Sequence, residues 1–176
     1  MLALILIPVL MVAPASIQGR EEQVLRQFAI SLDHYSRLHD SVSASVPRGL
    51  CAGLEDMEMY RTLLADEIRR LRAHEREGAI FTRDVGALIR QRLRAAAPTV
   101  TADDEETGIG PDARPIDWRA KVNVGYPPYF GAQYPELVRL LPPLPGELEY
   151  RFVGRDLVLL DVIANLIVDV LRDAIS

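Results

Sequence analysis

Apolar residues recur every three or four positions along the first third of the chain, which is the period of one helical face. Between Arg20 and about Val46, this face comprises Val24, Leu25, Phe28, Leu32, Tyr35, Leu38 and Val42. The segment Pro47-Arg48-Gly49 then interrupts the pattern with two residues that disfavour helix. The spacing therefore predicts a long amphipathic helix that ends just before Pro47.

The same period predicts two further helices. The second runs from about Leu54 to Glu77, where Gly78 can end it, and its inward positions are Met57, Tyr60, Leu64, Ile68 and Leu71. In the third helix, Thr82 is placed to act as the N-cap, and the buried stripe consists of Val85, Leu88, Ile89 and Leu93. Pro98 closes this helix because proline cannot continue the backbone hydrogen-bond pattern.

The period changes near the C-terminus, in the stretch LPPLPGELEYRFVGRDLVLLD at residues 141–161. Leu148, Tyr150 and Phe152 alternate with charged residues, which predicts a strand with one apolar face. Gly154 lies where a two-residue turn with positive φ is wanted, and the return strand after it is apolar on both faces. We expect this hairpin to be structural, with Phe152 buried against the helices.

The final segment, DVIANLIVDVLRDAIS, is compatible with two structures. Its polar residues fall four apart, so they would line one face of a terminal helix, and the period alone favours that helix: Asp161, Asn165, Asp169 and Asp173. The run Leu-Ile-Val-Asp-Val is also typical of a strand, and Ala164-Asn165 could form the turn that leads into it. The residues leave a terminal helix and a third strand as alternatives.

Together these elements predict the α+β class: an N-terminal helical half of about three helices, with a C-terminal β-hairpin or short meander packed on it. A chain of 176 residues that is 49% apolar has the size and balance of one domain. We therefore assign residues 16–176 to a single α+β domain. Within it, residues 99–121 combine an excess of acids with Gly and Pro, which predicts a flexible acidic loop.

The first fifteen residues, MLALILIPVLMVAPA, contain no charged side chain and end in the small-residue pattern Ala13-Pro14-Ala15. An apolar segment of this length is typical of a signal peptide and is short for a membrane span. A buried N-terminal segment is the alternative, but Pro8 and Pro14 would interrupt a helix there. We expect residues 1–15 to be a signal peptide, so that the mature chain is periplasmic or extracellular and has no transmembrane span.

Charge and cysteine content narrow the range of partners. The formal net charge of −5 disfavours nucleic-acid binding. Cys51 is the only cysteine, so no disulfide can form within the chain. Nine arginines accompany five acids between Arg61 and Arg94, and exposed ion pairs such as Asp66 with Arg70 are favoured there over docking on an anionic surface.

Three stretches carry a resemblance to known proteins: Ile80-Phe81-Thr82, Val122-Asn123 and residues 141–169. With its leader and helical first half, the chain resembles a family of uncharacterised exported bacterial proteins that end in a segment similar to LPPLPGELEYRFVGRDLVLLDVIANLIVD. Members of that family have a proline soon after the last apolar run, which implies a strand there, whereas this chain has Arg172-Asp173. The resemblance covers most of the chain and implies export, but it implies no activity.

The sequence assigns no catalytic, cofactor-binding or metal-ligating residue, and it implies no cofactor. His34 and His39 are five positions apart, about 140° around a helix, so they do not share a face. The three histidines are therefore expected to be solvated or helix-capping. A nucleophilic site built from Cys51 and His74 lacks an orienting third residue, and the chain has neither a nucleophile elbow nor a phosphate-binding loop.

Acids concentrate around the hairpin and allow one enzymatic alternative, a small envelope hydrolase that uses a carboxylate pair. These acids are Glu147, Glu149, Asp156, Asp161 and Asp169. Catalysis would require two of them to converge in a pocket with perturbed pKa values. The favoured interpretation is that they face outward and protect the strands against aggregation.

The leading hypothesis is a non-enzymatic exported protein that binds a partner in the cell envelope, either a protein or a polymer. Residues 122–145 are rich in proline and tyrosine, and Pro135 can start a short helix within them. Aromatic side chains on a stiff backbone lose little entropy on binding. The predicted partner contacts are Tyr126, Tyr129, Phe130 and Tyr134.

Overall fold

The computed structural model describes residues 15–47, 53–96, 119–127 and 134–175. Its helices are α1 (Ala15–Ser45), α2 (Leu54–Leu71), α3 (Arg83–Ala96) and α4 (Pro135–Val138), and its strands are β1 (Leu148–Val153), β2 (Asp156–Asp161) and β3 (Leu166–Leu171). The predicted α+β class is confirmed: helices make up the N-terminal half, and a three-stranded antiparallel sheet lies at the C-terminus.

Helix α1 is the long amphipathic helix that the apolar period predicts. Four residues of its predicted face are buried in the core: Phe28, Leu32, Tyr35 and Val42. Val24 and Leu38, on the margins of the same face, are partly buried against that core. The helix therefore supplies one continuous wall for the sheet and for the other helices.

Helix α2 is shorter than predicted, because it ends at Leu71 and not near Glu77. Its inward positions are correct for Leu64 and Ile68, which are buried, and wrong for Met57 and Leu71, which are 56% and 49% exposed. The physical reason lies beyond the helix. The side chain of the next residue, Arg72, is buried against the sheet, and the N–H groups of Gly78 and Ile80 donate hydrogen bonds to the side chain of Asp169 in β3.

Helix α3 begins after Thr82, as predicted. The Thr82 hydroxyl accepts a long hydrogen bond from the Val85 N–H at 3.5 Å, and its carbonyl accepts one from the Gly86 N–H at 2.8 Å. Val85 and Ile89 are buried on the inward stripe. A Cβ atom at Gly86 would lie 2.7 Å from Leu171 Cδ1, so glycine allows α3 to pack closely on the end of the sheet.

The strands form a meander in the order β1-β2-β3. Strands β1 and β2 pair from Leu148 opposite Asp161 to Val153 opposite Asp156, and the turn between them contains Gly154 at φ 56°, as predicted. Burial alternates along β1, whereas β2 is buried at every position after Asp156. Both predictions for the hairpin, one apolar face on β1 and two on β2, are confirmed.

The final segment is a third strand, so the helix that the four-residue spacing favours is wrong. Asn165 makes the turn into β3 with φ 50°, and every residue of β3 is buried. A helix would place its aspartates on a solvated face, but this segment is covered on both faces and along one edge. That edge is bonded by residues 123–126, for example through the Ile167 N–H to the Val124 carbonyl at 2.9 Å.

The sheet is packed on both faces. On the helical side, the rings of Phe28, Phe81 and Tyr150 stack in a row, with centroid distances of 6.1 and 6.4 Å. The opposite face carries a smaller cluster that contains Val158, Leu160, Ile167, Val170, Ala120 and Tyr126. Residues 119–127 therefore cover this second face, and the last three residues of the predicted acidic loop belong to the cover.

Parts of the predicted organisation lie outside the described residues. These are residues 1–14 of the signal peptide, Cys51, and residues 99–118 of the acidic loop, and the corresponding expectations stay predictions. Among the described ranges, no helix is both long enough and apolar enough to cross a membrane.

Candidate functional site

Asp161, at the end of β2, is the centre of a buried hydrogen-bonded cluster. Its Oδ2 atom accepts hydrogen bonds from the Tyr35 hydroxyl at 2.7 Å and from His39 Nδ1 at 2.6 Å. Its Oδ1 atom accepts hydrogen bonds from the backbone N–H groups of Ile163 at 3.0 Å and Ala164 at 2.8 Å, which fixes the turn into β3. One carboxylate thus joins α1 to the β2–β3 turn.

Three acids act on the imidazole of His39. Burial opposes the charged form and lowers the pKa of His39, but the hydrogen bond and charge of Asp161, with the charges of Glu147 and Asp40, outweigh burial and raise this pKa above its ordinary value. Glu147 is held in place by a hydrogen bond from the Ser36 hydroxyl. The folded protein therefore favours the protonated form of His39.

We expect the free energy of unfolding to fall as the pH rises above about 6.5, the ordinary pKa of histidine. Because folding raises the pKa of His39, its stabilisation is fully present below the unfolded-state pKa and is lost as the pH rises through the folded-state pKa. Urea unfolding from about pH 5.5 to about pH 8.5 brackets that loss. His39→Asn should flatten the dependence, whereas His74→Asn, at an exposed position, should leave it unchanged. If the free energy of unfolding changed equally with pH in the wild type and in His39→Asn, the prediction would be contradicted.

Asp169, in β3, is the centre of a second buried cluster. Its Oδ2 atom accepts hydrogen bonds from the N–H groups of Ile80 and Phe81, both at 2.7 Å, and its Oδ1 atom accepts hydrogen bonds from those of Gly78 and Val170, both at 2.8 Å. Burial raises the pKa of Asp169 above its ordinary value, and these four N–H groups oppose the rise. The carboxylate thus fastens the α2–α3 connection to the sheet.

Arg72 is a buried cation between the two clusters. Its guanidinium donates hydrogen bonds to the Val168 carbonyl at 2.9 Å and to Asn123 Oδ1 at 3.1 Å, and it lies 5.1 Å from the centroid of the Tyr35 ring. Asn123 in turn donates a hydrogen bond from Nδ2 to the Arg72 carbonyl at 2.7 Å. Burial lowers the pKa of Arg72, and the nearby acids oppose that shift, so the side chain stays charged.

Three stretches that are distant in the sequence meet in these clusters: Ile80-Phe81-Thr82, Val122-Asn123 and residues 141–169. Asp169 and Asp161 belong to residues 141–169, Asn123 belongs to the Val122-Asn123 pair, and Ile80-Phe81-Thr82 supplies two of the N–H groups bound by Asp169. The residues in question therefore have a shared structural role, which is to hold the helical half and the sheet together.

A cleft of ≈ 330 Å³ opens beside the clusters, between α1 and the α2–α3 connection. Tyr35 and Arg72 form its buried inner wall, and His34 and Glu75 add polar groups to its lining. Ile30 and Leu71 contribute apolar side chains that are 55% and 49% exposed. Its volume lies at the lower end of the range for ligand pockets. A cleft with an ordered polar wall and exposed apolar edges can receive a small apolar group.

The interpretation of the hairpin acids as outward-facing is wrong for Asp161 and Asp169, which are fully buried. Each is buried because its two oxygens accept four hydrogen bonds, which compensates the loss of water. Neither lines the cleft. Asp156 is partly buried and pairs with Arg172 at 2.6 Å. In the part of the chain that the structure describes, no three His, Cys, Asp or Glu side chains are placed to hold a metal ion.

The expectation that all three histidines are solvated or helix-capping is wrong for His39. This side chain is 3% exposed, and its bond to Asp161 compensates its burial. His34 and His74 are exposed. The buried histidine is thus part of the structural clusters, while His34 lies in the lining of the cleft.

The arginine-rich part of α2 forms exposed ion pairs, as expected, but with different partners. Arg69 pairs with Asp66 at 2.6 Å and Arg70 with Glu67 at 2.5 Å, both three residues apart. The predicted pair of Asp66 with Arg70 is therefore wrong. Exposed pairs of this kind contribute little to stability.

The predicted partner contacts are divided by the structure. Tyr129 and Phe130 lie outside the described residues. Tyr126 is 7% exposed on the second face of the sheet, and burial raises its pKa to about 12. Tyr134 packs edge-on against Phe152, with ring centroids 5.4 Å apart. Both described tyrosines thus have packing roles within the protein, and partner contact by this segment stays a prediction.

These features define a class: a small α+β protein in which a three-stranded meander is fastened to its helices by two buried carboxylates, beside a cleft with apolar edges. No family model, curated protein or solved structure matches the chain.

Proposed function

We propose that the protein is a non-enzymatic exported protein of the cell envelope, and that the cleft between α1 and the α2–α3 connection receives an apolar group of its partner. One contrast carries the proposal. The polar side chains in the inner wall are buried and bonded within the protein, whereas Ile30 and Leu71 at the edges are half exposed to water. Export rests on the apolar leader, which is typical of a signal peptide.

The chemistry of the wall favours binding over catalysis. The Tyr35 hydroxyl already donates a hydrogen bond to Asp161, and burial together with that carboxylate raises the pKa of Tyr35 well above its ordinary value. A phenol in this state is a poor proton donor to a substrate at neutral pH. Arg72 likewise directs two of its nitrogens at acceptors in the protein. These bonds hold the wall in one arrangement, which lowers the entropy lost when a ligand binds.

The apolar edges provide the affinity in this proposal. Covering the exposed parts of Ile30 and Leu71 would contribute roughly 1 kcal/mol each, about half the value of burying a whole aliphatic side chain. An additional contribution would come from the group that enters the cleft. A binding free energy built from these few contributions is suited to a partner that binds reversibly.

We expect the double variant Ile30→Asp with Leu71→Asp to weaken partner binding in envelope extracts at least tenfold, because charges at the edges would oppose desolvation. The measurement is quantitative co-purification of the full mature chain, with circular dichroism to verify folding. Met59→Asp is the matched control, because Met59 is 59% exposed and lies outside the cleft. Equal loss in both variants, or no loss in either, would contradict the cleft as the contact site.

Export has a separate test, which does not depend on the cleft. Cell fractionation followed by intact mass measurement should find the chain outside the cytoplasm, shortened by about fifteen residues at its N-terminus. A full-length cytoplasmic chain would overturn this part of the proposal.

A further inference from the structure

Tyr35 belongs both to the cleft and to the Asp161 cluster. The residue lines the cleft, and its hydroxyl donates a hydrogen bond to Asp161 Oδ2 at 2.7 Å. The same oxygen accepts the hydrogen bond from His39 Nδ1 at 2.6 Å. The position of the cleft wall and the protonation of His39 are therefore connected through a single carboxylate oxygen.

We propose that protonation of His39 controls occupancy of the cleft, so that the cleft binds its ligand more tightly when the imidazole is charged. The proposal rests on the proposed binding function and adds its regulation. It makes binding tighter in mildly acidic surroundings and weaker as the pH rises through the titration of His39.

The groups around His39 set the direction of this effect. Asp161 of β2 binds the imidazole, and Tyr35 of α1 donates to the same carboxylate oxygen. Asp40 of α1 and Glu147, in the segment before β1, act on the imidazole through their charges. None of these groups is a cation, so the charged imidazole gains favourable interactions with each carboxylate. Loss of its proton leaves these acids without that compensation.

The buried charges nearby reinforce the argument. With His39 protonated, the formal charges of Asp161, Asp169, Arg72 and His39 sum to zero, and all four side chains are at most 5% exposed. Deprotonation leaves this buried set with one uncompensated negative charge, which is costly in a medium of low polarity. Entry of water to Asp161 lowers the free-energy cost of this uncompensated charge. Because that water competes for the carboxylate oxygen, it weakens the hydrogen bond that holds the Tyr35 hydroxyl. The cleft wall loses its fixed arrangement, and binding becomes weaker.

The experiment uses the mature protein and N-phenyl-1-naphthylamine, an uncharged apolar dye that becomes fluorescent on transfer from water to an apolar site. The dissociation constant is measured by fluorescence titration from about pH 5.5 to about pH 8.5. We expect it to rise at least about fivefold, the lower end of typical couplings between sites. His39→Asn can still donate to Asp161 but cannot be protonated, so its affinity should not vary with pH.

His34 is the essential control, because it is a histidine that lines the cleft itself. The double variant His34→Asn with His74→Asn retains His39 as its only histidine, since the chain has three. This double variant should keep the full pH dependence. If His39→Asn does not fold, the double variant still decides the matter, because its affinity must follow the titration of its single imidazole as measured by NMR.

The outcomes separate the two proposals. If Ile30→Asp with Leu71→Asp abolishes dye binding while His39→Asn keeps the wild-type pH dependence, the cleft stands and the regulation by His39 is overturned. A pH dependence that disappears in the His34→Asn and His74→Asn double variant also overturns it. If the double variant Ile30→Asp with Leu71→Asp binds the dye with wild-type affinity at every pH, both the cleft as the binding site and its regulation by His39 are overturned.

Discussion

Replacing Asp169 with alanine is expected to lower the free energy of unfolding by about 4 kcal/mol or more. The carboxylate is fully buried and accepts hydrogen bonds from four backbone N–H groups, those of Gly78, Ile80, Phe81 and Val170. Each buried donor left without an acceptor costs about 1 to 3 kcal/mol, and some are partly compensated by entering water. Urea unfolding of the purified variant measures the loss.

The loss of stability in Asp169→Ala should appear first as local opening of the α2–α3 connection and only then as unfolding of the whole domain. Since three of the four donors belong to the α2–α3 connection, amide hydrogen exchange at residues 78, 80 and 81 should accelerate most under native conditions. Asp33→Ala is the control, because this carboxylate is 55% exposed and pairs only on the surface of α1 with Arg37. It should cost less than about 0.5 kcal/mol. A comparable loss for Asp33→Ala and Asp169→Ala would refute the role assigned to the buried acid.

The sequence predicts the elements whose contacts are local or periodic. The faces of α1 and α3 follow from apolar spacing, and the β1–β2 hairpin follows from alternation together with the positive φ available to Gly154. In each case the residues that decide the structure are a few positions apart. The pattern is therefore visible without knowledge of the tertiary fold.

Strand β3 and the end of α2 depend on contacts that are distant in sequence. Asp169 binds N–H groups 88 to 91 residues away, so nothing near it indicates that it is buried. Its four-residue spacing from Asn165 and Asp173 matches a helix equally well. Likewise α2 ends at Leu71 because Arg72 finds its acceptors in Asn123 and Val168, which lie 51 and 96 residues further along the chain.

One part of the candidate site could have been predicted from spacing. The buried positions Phe28, Leu32, Tyr35 and Val42 leave one vacant place in a sequence of alternating four- and three-residue steps, and His39 occupies it. A polar residue in a buried stripe must have a partner, so the position itself indicated a buried acceptor. Local spacing could not identify that acceptor as Asp161. It could not predict the cleft either, because the two sides of the cleft come from residues 30–38 and 71–80.

Replacing Phe152 with alanine should lower the free energy of unfolding by about 3 to 5 kcal/mol, the usual cost of removing a core phenylalanine. The side chain is 1% exposed in the cluster between the sheet and the helices, and its ring is the edge-on partner of Tyr134. The substitution therefore leaves a cavity and also releases a contact of the segment that leads into α4. Urea unfolding at fixed pH gives the loss.

Glu149, on the opposite face of β1, supplies the comparison that distinguishes a structural role of the hairpin from a functional one. Glu149 is partly exposed and pairs with Arg151 at 2.7 Å, so Glu149→Ala should cost less than about 1 kcal/mol. Phe152 does not line the cleft. At a temperature and denaturant concentration where Phe152→Ala remains folded, it should therefore bind N-phenyl-1-naphthylamine with wild-type affinity. A stable Phe152→Ala protein that had lost partner binding would instead make the hairpin a contact surface. The substitution would then have reduced the free energy of binding and not the free energy of unfolding.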